Sequence, residues 1–261
     1  MPQTASTIGD HLRTWRQRRR LSQLDLALDA EISTRHLSFV ETGRAQPSRD
    51  MVLRLAERLE VPLRERNRLL VAAGFAPVFS ERSLDDPAMQ AARQAVDLVL
   101  KGHEPYPAIA VDRHWTLVSA NGAAGALLAG AAPALLRPPV NVLRLSLHPA
   151  GLSGRIVNLA EWRAHILHRL RAQVEATADP VLDALLQELK GMPAPRAEPG
   201  AEHRHAGVFV PLRLRASDRV LSFVSTTTVF GTPVDITLSE LAVEAFFPAD
   251  AETAQALQKG P

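Results

Sequence analysis

The chain has 261 residues, 46% of them hydrophobic and 22% charged, with a formal net charge of +2 and no cysteine. That length accommodates two domains with a core each, and the missing cysteine excludes disulfides, thiolate metal sites, a thiol nucleophile and a thiol redox switch. The small total charge hides an asymmetry: residues 1–75 carry thirteen arginines, no lysine and nine acids, and arginine's planar fork suits phosphate oxygens and guanine edges.

The N-terminal "MPQTASTIGDHL" lacks a basic stretch followed by an apolar run, so no secretion signal is expected. The most apolar run, residues 117–136, is mostly Ala and Gly and includes Asn121 and Pro133, too weak for a membrane span. The expectation is a soluble, cytoplasmic protein with no membrane partner.

Ile8, Leu12 and Trp15 recur at helical spacing, which predicts an opening amphipathic helix whose other face bears Arg13, Arg16, Arg18, Arg19 and Arg20. Ser22 stands at an N-cap position with Asp25 three residues on, in the capping-box place where Glu or Gln is usual. The second helix presents Leu24, Leu26, Ala27 and Leu28 and stops near Ala30. Ile32 connects, Ser33 caps a third helix with Leu37 and Val40 inward, and Gly43 stops it. Pro47-Ser48 opens a fourth helix through Met51, Leu55, Ala56 and Leu59, and a fifth runs from Pro62 to Ala73 before Gly74. Helices two and three, joined by three or four residues with small Ala27 between them, have helix-turn-helix spacing. In that arrangement the N-terminal part of the third helix meets base edges in the major groove, which accounts for its polar head Ser33-Thr34-Arg35-His36.

"LSQLDLALDAEISTRHLSFVETGRAQPS", residues 21–48, resembles the phage-repressor (Cro/XRE-type) helix-turn-helix, with Gln23, Leu26, Ala27, Ile32, Glu41 and Gly43 in pattern. The resemblance implies that Gln23 contacts the phosphate backbone and that Arg16 pairs with Glu41, tying helix one to helix three. The expected DNA-binding set is Arg16, Ser22, Gln23, Ser33, Thr34, Arg35, Ser38 and Arg44. Glu31 departs from the pattern, where the turn often has Gly; a positive φ there costs a non-Gly residue on the order of 1 kcal/mol.

Residues 76–86 have poor periodicity and read as a connection, and Ala88 to Leu100 as a helix. "AIAV" and "WTLVSA" are strand-like, joined by a tight hairpin at Asp112-Arg113-His114. A helical segment follows over 154–175 with Ile156, Leu159, Trp162, Ile166 and Leu170 on one face, then a helix from Pro180 to Lys190 and a Pro-rich loop over 191–206. Three further strands are expected in "VFVPLRLR", "RVLSFVSTTTVF" and "ITLSELAVEAFF", the last two joined through Gly231-Thr232-Pro233. The fold class is α+β: an all-α five-helix helix-turn-helix domain over 1–75, a connecting segment and helix over 76–104, and over 105–250 a five-stranded antiparallel sheet with helices on one face, in the order of a PAS-like sensor domain.

Trp162, His165 and Arg169 lie at i, i+3 and i+7 and can line one edge of a pocket, where Arg169 or His165 would meet a ligand carboxylate; the alternative is that Trp162 is core and the other two are surface. Phe223, Thr226, Thr228 and Phe230 read as alternating along a strand and sharing one face, as pocket or core. The expected ligand-binding set is Trp162, His165, Arg169, Phe223, Thr226 and Phe230. His203 and His205 lack a third partner and read as solvated rather than metal-binding. "GLSGR" has Arg155 where a nucleophile elbow needs Gly, and "NGAAGALLAG" lacks the Lys-Ser/Thr of a phosphate loop, so no enzyme is expected.

The combination of the Cro-type motif with "VPLRERNRLLVAAGFAP", "HEPYPAIAVDRHWTLVSAN", "NVLRLSLHPAGL" and "TTVFGTPVDITLSELAVEAFFPAD" resembles the MmyB-like family of bacterial transcription regulators over nearly the whole chain. The resemblance implies a double-stranded DNA operator, a PAS-like C-terminal domain holding a small apolar ligand such as a fatty acid, and a homodimer. The alternative is a DNA-binding protein whose C-terminal domain only dimerises or recruits a protein partner.

Overall fold

The computed structural model describes residues 6–258 apart from 129, 194–208, 217 and 232, and it divides near Arg82 and Ser83 into two units. In the first, each early helix starts on a side chain that replaces a missing backbone partner. α1 (Ile8–Arg18) opens with a reciprocal pair: the Thr7 hydroxyl accepts from the Asp10 N–H at 3.2 Å and the Asp10 carboxylate accepts from the Thr7 N–H at 3.0 Å. α2 (Gln23–Asp29) repeats it with Ser22 and Asp25, so Asp serves in the capping-box position. Ser33 caps α3 (Thr34–Glu41), Ser48 caps α4 (Arg49–Arg58), and α5 (Leu63–Ala72) follows Pro62. Their common core includes Leu12, Leu26, Leu37, Val40, Leu55 and Leu59, all fully buried.

Two details set the close packing. A Cβ on Gly9 would stand 2.6 Å from the Glu41 carbonyl oxygen, so only glycine lets α1 approach the end of α3 this far. Glu31 sits at φ 56°, the left-handed conformation in which a non-Gly residue is strained. Leu24 and Leu28, expected on the inner face of α2, are 56% and 68% exposed; the helix is short, and Leu26 with Ala27 fills the space it can reach.

The second unit begins with α6 (Gln90–Gly102), then β1 (Ala108–Val111), β2 (Leu117–Ala120), α7 (Gly122–Leu128), α8 (Val142–Leu147), α9 (Leu159–Thr177), α10 (Pro180–Gly191), β3 (Leu212–Ala216), β4 (Arg219–Val229), α11 (Ile236–Ser239), β5 (Ala242–Pro248) and α12 (Ala251–Gln258). The strands form a five-stranded sheet in the order β2-β1-β5-β4-β3, with every neighbouring pair antiparallel. The fold is α+β. The hairpin at Asp112-Arg113-His114 is held by the Asp112 carboxylate, which accepts from the His114 and Thr116 N–H groups, each at 2.8 Å.

The sheet differs from expectation in having helices on both faces. The central strands are apolar at both parities: Ile109 and Val111 join the main core with α8, α9 and α10, while Ala108, Ala110, Val243 and Ala245 pack against Val96 and Leu100 of α6. α6 is therefore part of the sheet's covering layer rather than a connector. Past residue 250, α12 is docked through buried Thr253, whose hydroxyl accepts from the Ser222 N–H at 2.9 Å. The last strand starts only at Ala242, because that residue pairs with both Val111 and Val229 and the residues before it have no ladder on either side; part of that stretch coils into α11. α9 begins at Leu159 rather than 154: Ser153–Arg155 is a 3-10 turn and Ile156 bridges to Leu214. The loop expected over 191–206 lies largely outside the described residues.

Candidate functional site

In the first unit one carboxylate ties three helices together. Glu41, at the end of α3 and 3% exposed, accepts from Arg16 Nε at 2.7 Å and Arg16 Nη2 at 2.9 Å on α1, and from Gln23 Nε2 at 2.8 Å on α2. Burial pushes its pKa up, but the bonds from Arg16 and Gln23 and the charges of Arg16 and Arg13 outweigh that and hold it below the ordinary carboxylate range. The pairing expected between Arg16 and Glu41 is present, and Arg16 and Gln23 are both half-buried. Arg13 and Arg19 are also engaged within the unit: Arg13 donates to the Glu41 carbonyl at 3.2 Å, and Arg19 donates to the Leu59 and Glu60 carbonyls at the end of α4 at 2.8 and 2.9 Å. Of the rest of the expected set, Ser22, Ser33, Arg35 and Arg44 are exposed, and Thr34 and Ser38 are half-buried. Arg35 leans over the Phe39 ring, 5.3 Å from its centroid, and His36 turns inward with Nε2 3.3 Å from the Met51 sulfur. Thr34, Arg35 and Ser38, at i, i+1 and i+4, share one side of α3.

In the second unit a cavity of about 100 Å³ lies between the sheet and α7, α8 and α9. Its wall is mostly apolar, including Ile109, Leu117, Leu143, Leu145, Ile166 and Phe246; the polar side chains are Ser146, His165, Arg169 and Glu244. Two tryptophans position them. Trp162 donates its indole N–H to Ser146 Oγ at 3.0 Å and stacks on His165 with ring centroids 5.4 Å apart. Trp115 donates to Gln173 at 2.8 Å, and the Arg169 guanidinium lies 4.6 Å above its ring centroid. Arg169 also forks onto Glu244, Nη1 to Oε2 at 3.1 Å and Nη2 to Oε1, and the Thr227 hydroxyl donates to Glu244 Oε1 at 2.7 Å. Glu244 is 3% exposed, and a carboxylate that far from water needs partners of this kind within the chain. Burial, and next the Arg169 charge, push the His165 pKa down against the opposing pull of Glu244, leaving its imidazole neutral at neutral pH. Such a chamber can hold an apolar body with a small polar set at one side.

Residues 92–259 match the family model for the MmyB-like transcription regulator ligand binding domain, and residues 7–69 match a helix-turn-helix domain. The chain belongs to the MmyB-like transcription regulators. It is a DNA-binding transcription regulator with its helix-turn-helix ahead of its ligand binding domain. No curated protein matches it.

The cavity of this MmyB-like regulator falls wholly within the matched ligand binding domain. Trp162, His165 and Arg169 all reach the cavity, as their spacing on α9 suggests, and there Arg169 is paired with Glu244 through Nη1 and Nη2. Phe223, Thr226, Thr228 and Phe230 do not share a face. Phe223, Ser225 and Thr227 pair with Pro248, Phe246 and Glu244 and face the cavity side, whereas Thr226 and Thr228 pair with Ala245 and Val243 toward α6. Phe230 follows the end of β4 and also packs on the α6 side. Phe223 stands behind the cavity wall with its ring 6.5 Å from Phe246. Sequence reasoning missed Ser146, Trp115, Thr227 and Glu244; the signal for the last was a lone acid inside the apolar run "AVEAFF". His203 and His205 lie outside the described residues, and among the described residues no group of three or more His, Asp or Glu could hold a metal. No helix among them is long and apolar enough to cross a membrane.

Proposed function

We propose that this regulator works in the cytoplasm as a homodimer on a double-stranded operator and responds to a small apolar ligand, of which a fatty acid is the model compound, held in a PAS-like C-terminal domain. In this division residues 1–75 read DNA. Ser33, Thr34, Arg35 and Ser38 meet base edges in the major groove, and Ser22 and Arg44 hold phosphates. Arg16 and Gln23 act through Glu41, keeping α1, α2 and α3 in register. A single module of this type contacts few bases, so two on half-sites about one helical turn, ~34 Å, apart supply useful affinity.

The observation that carries the ligand reading is the cavity itself. Its wall is apolar apart from Ser146, His165, Arg169 and Glu244, so an apolar body seated there leaves water at about 25 cal/mol per Å² buried. The strand order β2-β1-β5-β4-β3 with the chamber between sheet and helices supports the PAS-like description. Fatty acids of graded length, added to solvent-stripped full-length protein, are expected to raise the melting temperature with each methylene until the chamber is full, at about 0.8 kcal/mol per methylene. A flat response across the series would favour a C-terminal domain that only dimerises or recruits a partner. Light scattering at working concentration tests the dimer, and a monomer that footprints a single half-site tightly would remove it.

A further inference from the structure

Resting on the reading that Arg35 meets a base edge, we infer that Phe39 is the residue that positions Arg35 for that contact. Its ring holds the guanidinium before DNA arrives, so Phe39 governs base discrimination at the Arg35 position without touching the base. The two residues stand at i and i+4 on α3, neighbouring sites on the helix surface. The Arg35 guanidinium lies over the Phe39 ring, 5.3 Å from its centroid, within the range in which a ring face attracts a cation. Ser33 caps the same turn by accepting from the His36 N–H at 3.1 Å, so the backbone that carries Arg35 is itself fixed.

Packing gives no reason for a ring at this position. Leu37 and Val40 of α3 are fully buried in the core of the first unit, whereas Phe39 is half-buried and stands outside that cluster. Arg13, Arg16 and Arg19 each end on a carbonyl or carboxylate oxygen. Arg35 is exposed and, among the described residues, makes no hydrogen bond or ion pair within the chain. The ring therefore restrains the side chain while its N–H donors stay available for guanine O6 and N7. Ordering a long side chain at an interface weakens binding, and a guanidinium already seated on a ring has less freedom to lose when it meets the base.

The test measures the affinity of the full-length protein for an operator duplex that the natural protein selects from a random pool, and for duplexes with each base pair changed singly. Arg35→Ala marks the position that Arg35 reads. There Phe39→Leu is expected to lower discrimination about three- to tenfold, with every other position within about twofold, and Phe39→Tyr, which keeps the ring, is expected to preserve it. Adding Phe39→Leu to Arg35→Ala should lower discrimination at that position no further. Unchanged discrimination in Phe39→Leu overturns the inference, and so does a loss spread evenly over the site, as a merely structural role would give. A loss at a different position also overturns it, because the ring would then meet a base itself. Phe39→Met supplies the same comparison should the leucine variant not fold. If Arg35→Ala leaves every position unchanged, the reading of Arg35 fails and the inference with it, whereas a change in Arg35→Ala with none in Phe39→Leu removes only the inference.

Discussion

Glu41→Ala removes the one carboxylate that joins α1, α2 and α3. The loss is specific: both Arg16 bonds, at 2.7 and 2.9 Å, and the Gln23 bond at 2.8 Å end on that group. Breaking a buried pair by removing one partner costs about 3–5 kcal/mol, because the other charge is left uncompensated. The Arg16 side chain is 12% exposed and keeps its bond to the Leu21 carbonyl at 2.9 Å, so the lower end applies, about 3 kcal/mol. In native-state hydrogen exchange on the full-length protein, that corresponds to a loss of protection of roughly 150-fold for the slow amides of α1 and α3. Amides of α9 and β4 should be unchanged. Replacing both partners with apolar side chains, Arg16→Met with Glu41→Leu, should recover most of the loss, because no charge is then left buried. Protection in Glu41→Ala within about threefold of the natural protein would refute the reasoning, and so would a double variant as unstable as the single one.

Arg35→Ala should relax base preference at one position per half-site, since a bidentate arginine–guanine contact is worth ~1–3 kcal/mol of discrimination; binding-site selection that returns an unchanged sequence preference removes Arg35 from the reading face. Gly9→Ala should lower stability by about 1–3 kcal/mol, since its Cβ would meet the Glu41 and Val40 carbonyl oxygens at 2.6 and 2.7 Å; a melting curve that does not move would show that α1 and α3 can separate freely. Because the fold depresses the pKa of Glu41 from its ordinary 4.5, its contribution is complete above that value and is lost as pH falls through the lower folded value. Protection of α1 and α3 should therefore decline below about pH 4.5, and that part of the decline should be missing in Glu41→Gln.

The N-terminal unit was legible in the sequence because its signals are local. Ser22, Ser33 and Ser48 each cap the helix that starts at the next residue, accepting from the N–H three residues on, and apolar spacing marks Leu12, Leu37 and Leu55 as inward. Leu24 and Leu28 escaped because a stripe of leucines does not reveal where the neighbouring helices end. In the second unit the strands of the sheet were legible, but their faces depend on partners remote in the chain. Ile236 to Leu241 alternates like a strand and lacks one only because β1 and β4 both stop opposite Ala242. The short helices α7 and α8 carry too few turns for a helical period to stand out. The cavity was half legible: the spacing of Trp162, His165 and Arg169 placed them together, but the pairing of Arg169 with Glu244 spans seventy-five residues and no local pattern encodes it.

The central claim is that ligand occupancy of the C-terminal chamber alters DNA binding. It is tested most directly by measuring the affinity of full-length protein for its selected operator with and without saturating ligand, and the affinity for that ligand with and without operator. The account predicts that both affinities change by the same factor, about 5–150-fold, because two linked equilibria share one coupling free energy. Operator affinity that stays constant while the bound ligand raises the melting temperature would contradict it, and the C-terminal domain would then be a ligand-stabilised platform with no bearing on DNA binding.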